Sequence, residues 1–206
     1  MAVEIVYETH AMSEDNERDI ATGWLPGRLS RRGRYQARRL GERLRHDDLA
    51  AVVTSDLHRS LETANIAFCD SNIPILADWR LRECDYGRLN GASASLVHGN
   101  MRLFHLTTPY PGGESWEQAL FRVISVLPEI ALRWNGRRVL LIGHKATGWA
   151  LRHAIEGIDI VRLLVDDIGM PQGHEFTFER LSPKLDRGVA AWHRYKEDNS
   201  LATELP

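Results

Sequence analysis

Two short stretches of this chain end an apolar run in a histidine: ETH at 8–10 and IGH at 142–144. A third, TSDLHR at 54–59, follows the apolar run AAVV and places Arg59 in the first turn of a helix. If the three runs are strands of one sheet, then His10, His144, Arg59 and a helix N-terminus meet at one edge. Two imidazoles, a guanidinium and a row of backbone N–H groups suit a phosphate. The cation and the donors hold the anion, and a neutral imidazole is free to attack it. A carboxyl group completes such a site by protonating the leaving oxygen. Glu83, in the loop LRECDYGRLNG, is the best candidate. Each residue has a plainer reading. A histidine after a strand is usually a loop residue. Arg59 can pair with Glu62 at i,i+3 on its own helix, and Glu83 can be a solvated carboxylate. Their joint placement at strand ends is what favours chemistry.

The elements that must position these residues can be read from periodicity. Val3–Glu8, Ala51–Thr54, Ile73–Ala77 and Arg138–Ile142 read as strands. Leu29–Arg45 reads as a helix, with Ala37, Leu40 and Leu44 at helical spacing and Ser30 as N-cap. Leu57–Phe68 and Ala146–Ile155 read as helices, and Glu114–Trp134 as one long amphipathic helix bent at Pro128. Glu175–Leu181 and Val189–Tyr195 read as a strand hairpin joined by SPKLDRG. Strands alternating with helices predict a three-layer α/β/α sandwich. Its central sheet is mainly parallel, helices cover both faces, and the hairpin closes the C-terminus. Ligands of such sheets lie at the carboxyl ends of the strands, which again selects His10, Ser55–Arg59 and His144.

Composition bounds the rest. The 206 residues suffice for one domain with a real core, and the sequence reads as a single domain over 1–206 with a frayed polar tail from 196. Hydrophobic residues at 43%, charged residues at 26% and a net charge of -2 are ordinary for a globular protein and speak against a generic nucleic-acid binder. The basic run RLSRRGRYQARRLGERLR at 28–45 reads as a solvated helix face, since Tyr35 is its only base-stacking aromatic. Cys69 and Cys84 form neither a disulfide framework nor a zinc pattern, and GxxxxGK[ST] and HExxH do not occur. MAVEIVYETH carries Glu4 and Glu8 without a basic region, and the longest apolar run, VLLI at 139–142, is too short to span a bilayer. The expectation is a cytoplasmic protein with a small-molecule substrate, without nucleic-acid or membrane partners, as a monomer or a homodimer.

The ordered set of motifs resembles the histidine phosphatase superfamily, in its phosphoglycerate mutase-like branch. The carrying residues are Thr9-His10-Ala11, Met12-Ser13 and Asn16, then Thr22-Gly23-Trp24, Leu29-Ser30, Gly33, Gln36-Ala37 and Leu40-Gly41. They continue with Thr54-Ser55-Asp56-Leu57-His58-Arg59, Thr63-Ala64, Leu81-Arg82-Glu83, Tyr86-Gly87, Gly91, Pro-Gly-Gly-Glu-Ser at 111–115, and Gly143-His144. The resemblance runs from about residue 3 to about residue 155.

The resemblance implies a metal-independent phosphatase of the histidine acid phosphatase type, with no metal or organic cofactor. His10 would attack phosphorus and become phosphohistidine. His144 and Arg59 would stabilise the transferred group, and Glu83 would act as general acid and base. Thr9, Asn16, Thr22, Gly23 and Lys145 would contact a phosphate-ester substrate. The chain departs from the family at the first motif. Thr9 stands where the family has an arginine, Ala11 replaces a glycine and Met12 an acidic residue. Lys145, where the family has a small residue, can either bring a replacement cation or simply begin an exposed helix. Strand alternation points Glu8 away from the side shared by Tyr7 and Thr9. A short Gly91–Pro111 segment speaks against mutase activity, and Arg82, Arg88, His98, Arg102 and His105 can line the more open pocket. The missing arginine keeps two other readings in play. One is an enzyme using His10, Glu83 and His144 for acid–base chemistry on a non-phosphorylated substrate. The other is a non-catalytic binding protein.

Overall fold

The computed structural model describes residues 1–99 and 102–200, with backbone only from 194 to 200. Its main sheet has the order β4-β3-β6-β1-β7, formed by β1 (Val3–Thr9), β3 (Leu49–Thr54), β4 (Ile75–Ala77), β6 (Arg138–Gly143) and β7 (His174–Phe178). A two-stranded ribbon pairs β2 (Ile20–Ala21) with β5 (Ala92–Ser93). The four strands from β4 to β1 are parallel, and β7 runs antiparallel to β1 at the edge. This is the α/β architecture that the sequence predicts.

Alternation along the strands sorts two cores. Val6, Val52, Leu140 and Ile142 pack with Leu40 and Leu44 of α2 (Arg31–Leu44), following α1 (Glu14–Glu17), and with Ala64 and Phe68 of α3 (His58–Phe68). On the opposite face Ile5, Tyr7, Val53, Val139 and Leu141 meet a larger layer. After the short α4 (Ala94–His98), that layer is built from α5 (Trp116–Ile124), α6 (Leu127–Arg133), α7 (Lys145–Leu151), α8 (Ile160–Val165) and α9 (Pro183–Ser200). Parallel register sets the carboxyl ends of the central strands level. Thr9 pairs with Gly143, and Thr54 with Ile142. The His10 N–H then donates to Gly143 O at 3.0 Å, and the Ser55 N–H to Ile142 O at 3.3 Å. That register carries His10, the 55–59 turn and His144 to one edge.

Several boundaries differ from the sequence reading. The C-terminal hairpin does not form. Its first half is β7, which pairs with β1, and its second half lies in α9. Leu185, Val189 and Trp192 recur at helical rather than alternating spacing, Leu185 and Trp192 are buried, and Pro183 opens the helix. Apolar content and a turn-like connection concealed that period. The helix continues through residues expected to fray, to Ser200, and 201–206 lie outside the described residues. Pro128 does not bend one long helix. The chain breaks after Ile124, and the proline sits in the first turn of α6, where it has no hydrogen bond to lose. The third strand is shortened to Ile75–Ala77. The helix after His144 ends in a π turn, Arg152–Glu156, stopped by Gly157 at φ 72°. Ser30 does cap α2, its side chain accepting from the Gly33 N–H at 3.1 Å.

The α2–α3 contact is close enough to exclude a methyl group. A Cβ on Gly41 would stand 2.0 Å from the backbone oxygen of Ala67. Glycine to alanine in a helix ordinarily gains about 1 kcal/mol. Here the backbone contact reverses the sign, because the helices must separate. Gly41→Ala is expected to lose about 1–3 kcal/mol in urea denaturation, and a gain in midpoint would contradict the packing described.

Candidate active site

The strand ends open into a cavity of about 1190 Å³ bordered by Thr9, His10, Asn16, Arg59, Glu83 and Lys145, with part of the α2 face and the 170–172 loop as outer walls. At its floor Arg59 is 3% exposed. Its Nε–H donates to His10 Nε2 at 3.2 Å and its Nη2 to His144 Nδ1 at 3.3 Å. The same Nη2 donates to Gly23 O at 3.0 Å, and Nη1 lies 3.5 Å from Leu25 O. Arg59 does not pair with Glu62, which instead accepts from the Leu29 N–H and from Arg34. Burial lowers the pKa of the guanidinium, and the negative charge of Glu83 leads the opposing effects.

These bonds settle both histidine tautomers. A guanidinium only donates, so His10 Nε2 and His144 Nδ1 are lone pairs. His10 Nδ1–H therefore donates to Ala11 O at 2.8 Å, and His144 Nε2–H to Ser55 Oγ at 2.6 Å. Both rings are neutral, 5.0 Å apart between centroids. The electrostatics agree. Burial first, then the Arg59 charge, pushes His10 down to about 3 and His144 well below the usual imidazole value. The backbone around them is pinned. Tyr7 Oη donates to His144 O at 2.6 Å, the Ala11 N–H donates to Thr63 Oγ1 at 3.0 Å, and the Met12 N–H to Gln36 Oε1 at 3.0 Å.

Glu83 is not a solvated carboxylate. Its Oε1 accepts from the Cys84 N–H at 2.9 Å and the Ala146 N–H at 3.1 Å, and Oε2 from the Lys145 N–H at 3.2 Å. The first two amides of α7 thus hold it at the cavity wall. Behind it Arg122, wholly buried, donates to the carbonyls of Arg80, Arg82 and Glu83 and pairs with Glu114 at 2.6 Å.

The remaining sequence-predicted residues are placed unevenly. Asn16 borders the cavity, but its Oδ1 closes a capping box on Ser13. Thr22 donates to Asp15 Oδ2 at 2.9 Å. Gly23 adopts φ 53°, and a Cβ there would lie 1.7 Å from Asn90 Oδ1, so glycine is required for its carbonyl to reach Arg59. Thr9 is exposed at the cavity, 3.4 Å from Tyr7 Oη. Glu8 faces the α2 side, as alternation predicts, and is ion-paired with Arg43. The Lys145 ammonium is held by Asp167 at 2.7 Å, not by His10, Arg59 or His144. Of the five residues expected to line the pocket, His98 does. Arg82 clamps Asp56 at 2.6 Å, His105 stacks on Tyr110, Arg102 pairs with Asp167, and Arg88 is not at the cavity wall. Sequence reasoning gave no role to Tyr7, Thr63 or Arg122. Arg122 carries no sequence signal beyond being a charge on an apolar helix face.

Among the described residues no group of three or more His, Cys, Asp or Glu could hold a metal ion, and no helix is long and apolar enough to cross a membrane. A neutral imidazole whose Nε2 lone pair accepts from a buried guanidinium, in a cavity with a fixed carboxyl group, can support nucleophilic and acid–base chemistry on an anion. The comparisons carry this further. The model of the histidine phosphatase superfamily (branch 1) matches residues 9–182, and the chain belongs to that family. It is 31% identical over 209 residues, 94% of each chain, to a 2,3-bisphosphoglycerate-dependent phosphoglycerate mutase of Cytophaga hutchinsonii. Its fold matches Bacillus stearothermophilus YhfR with a TM-score of 0.75 at 28% identity, covering 85% of this chain and 90% of that one. A mycobacterial glucosyl-3-phosphoglycerate phosphatase shares the fold with a TM-score of 0.72 at 24% identity, over 86% and 90% of the two chains.

The neutral histidines set the pH response of stability. In the unfolded chain each takes up a proton near its ordinary value of 6.5, whereas in the folded site neither does so until well below it. Their contribution is therefore intact above pH 6.5 and lost as pH falls, for His10 down to about 3. Each group adds a slope of up to about 1.4 kcal/mol per pH unit. Urea denaturation between pH 7 and pH 4.5 is expected to show His10→Asn with a shallower fall than wild type, by up to one proton. Parallel curves would mean that His10 is protonated in the fold.

Proposed function

We propose that the protein is a phosphomonoester hydrolase working through a phosphohistidine on His10. The observation that carries this reading is the His10 tautomer. With Nδ1–H committed to Ala11 O, the Nε2 lone pair is the one aimed at Arg59 and the anion it would hold. In this reading the substrate phosphoryl group takes the donors of Arg59, and Nε2 attacks phosphorus as the P–O bond to the alcohol breaks. Glu83 enters this step in its carboxylic-acid form: Oε2, which accepts from one backbone amide, carries the proton at its second lone-pair position and gives it to the leaving oxygen. Water then attacks the phosphohistidine, gives its proton back to Glu83, and phosphate departs.

His144 has no N–H free for substrate in this structure, since Nε2–H is spent on Ser55. A phosphate that draws Arg59 Nη2 away frees Nδ1, and a proton arriving with the phosphate monoanion makes His144 a donor. Charge on the equatorial oxygens is then met by Arg59, His144 and the amide of Asn16. Thr9 supplies a neutral hydroxyl where the family resemblance puts an arginine. A missing donor of that kind costs on the order of 100- to 1,000-fold in rate, so turnover is expected to be slow rather than absent.

A mutase is the second reading, favoured by the name of the Cytophaga relative. It uses the same residues and returns the phosphoryl group to an alcohol. The Gly91–Pro111 connection supports hydrolysis over transfer. Its described parts are β5, α4 and one 3-10 turn, Phe104–Leu106, a slight cover for a cavity that must exclude water. Phosphate release from a broad phosphomonoester panel separates the two. Wild type is expected to release phosphate and His10→Ala none. Arg59→Ala should lose about 100- to 1,000-fold in kcat/KM, and Glu83→Gln should lose most on esters with poor leaving groups. Phosphoryl exchange between alcohols without net phosphate release would select the mutase, and activity surviving in His10→Ala would end both readings.

A further inference from the structure

The proposed reaction gives no work to Ser55, although its side chain touches His144. Ser55 is fully buried in the turn between β3 and α3. Its Oγ accepts from His144 Nε2–H at 2.6 Å and from the Leu57 N–H at 3.4 Å, and its own N–H donates to Ile142 O. The backbone of His144 is fixed as firmly. Its N–H donates to Thr147 Oγ1 at 3.2 Å, and its carbonyl accepts from Tyr7 Oη. His144 is 1% exposed, and neither it nor Ser55 borders the cavity. Arg59 does border it and covers the ring at Nδ1.

We propose that Ser55 is a positioning residue that couples phosphate binding to the uptake of one proton by His144. The inference rests on the phosphatase reading and assigns the protonation state in which that site holds its phosphate. Nε2 already carries its hydrogen, and the oxygen that receives it faces a second donor, the Leu57 amide, so Ser55 serves as an acceptor. Nδ1 is a bare lone pair covered by the Arg59 Nη2 hydrogen. An anion that takes this hydrogen leaves the Nδ1 lone pair against phosphate oxygens, a repulsive contact unless a proton stands between them. That proton comes from a monoanionic ester, or from solvent when the ester is dianionic. The ring then donates Nδ1–H to phosphate and Nε2–H to Ser55. The groups around the ring keep this from happening early. Arg59 from α3, His10 at the end of β1 and Arg122 from α5 oppose a further positive charge. Glu83 is held at the amides of Lys145 and Ala146, the Lys145 ammonium is turned to Asp167, and the Tyr7 hydroxyl is spent on the His144 carbonyl. Above an ester's second pKa of about 6, binding therefore takes up a proton, and affinity falls by up to about tenfold per pH unit.

The test is imidazole 15N NMR of the wild-type protein at about pH 7.5, above the ordinary imidazole range, with inorganic phosphate as the probe. Without phosphate, His144 should carry one hydrogen, at Nε2. With phosphate, both ring nitrogens should carry one. A ring that keeps Nε2–H alone, or moves its hydrogen to Nδ1, would overturn the proposal. Calorimetry of phosphate binding to Ser55→Ala adds the role of the serine. Without its acceptor the buried imidazolium loses a charged hydrogen bond, so affinity should fall by about 10- to 100-fold near pH 6 and by progressively less toward about pH 8. A loss of equal size at every pH would make Ser55 merely structural and the proposal wrong. If the variant does not fold, the wild-type spectrum decides alone. Phosphate binding that protonates His144 in a protein that hydrolyses no ester would end the phosphatase reading and leave the coupling standing. No phosphate binding would end both.

Discussion

The Arg59 guanidinium is a positive charge placed almost out of water, and much of the site follows from keeping it there. Burying such a charge is costly unless its donors are met. Here they are met by two imidazole lone pairs and by carbonyls of the 23–25 turn. Each acceptor is constrained in turn. The lone pairs fix the histidine tautomers, and the Gly23 carbonyl requires a positive φ that a side chain would obstruct. One cation thereby makes two neutral histidines, and the Nε2 lone pair of His10, the proposed nucleophile, faces that cation. The arrangement also opposes protonation of both rings, which would keep the proposed nucleophile unprotonated below the usual imidazole range.

The sheet and its helix layers supply the accuracy this requires. Parallel register between β1, β6 and β3 levels three strand ends. Glu83 reaches the same edge by another route. Its loop has no strand to hold it, and the carbonyls around it are gathered by the buried Arg122 while its carboxylate is seized by the first amides of α7. On the proposed mechanism removing Arg59 would disturb chemistry, whereas removing Arg122 would disturb the position of Glu83, although both are arginines with little solvent contact.

Much of this was legible in the sequence, for identifiable reasons. Residues that follow apolar strands are indexed by the strand, so His10, Arg59 and His144 could be placed together before any coordinates. The α2 cap was equally readable, because Ser30 and the period of Ala37, Leu40 and Leu44 agree. What failed were segments whose local pattern is ambiguous. Residues 183–195 have apolar positions compatible with either period until Leu185, Val189 and Trp192 are counted together. Long-range partners were not readable at all. Nothing local says that Lys145 pairs with Asp167, or that Arg122 serves the loop of Glu83. From sequence Lys145 is either a cation replacing the one missing at Thr9 or the start of an exposed helix; in the structure its ammonium is held by Asp167 rather than by the histidines.

The central claim is that His10 Nε2 carries the phosphoryl group during turnover. The direct measurement is an alkaline quench of the wild-type enzyme mixed with a fast-leaving phosphomonoester, followed by peptide mapping under conditions that preserve phosphohistidine. The account predicts phosphate on the peptide containing His10, formed within one turnover, greater in Glu83→Gln, where the water attack lacks its base, and absent from His10→Asn. An enzyme that releases phosphate while that peptide stays unmodified in Glu83→Gln would contradict it.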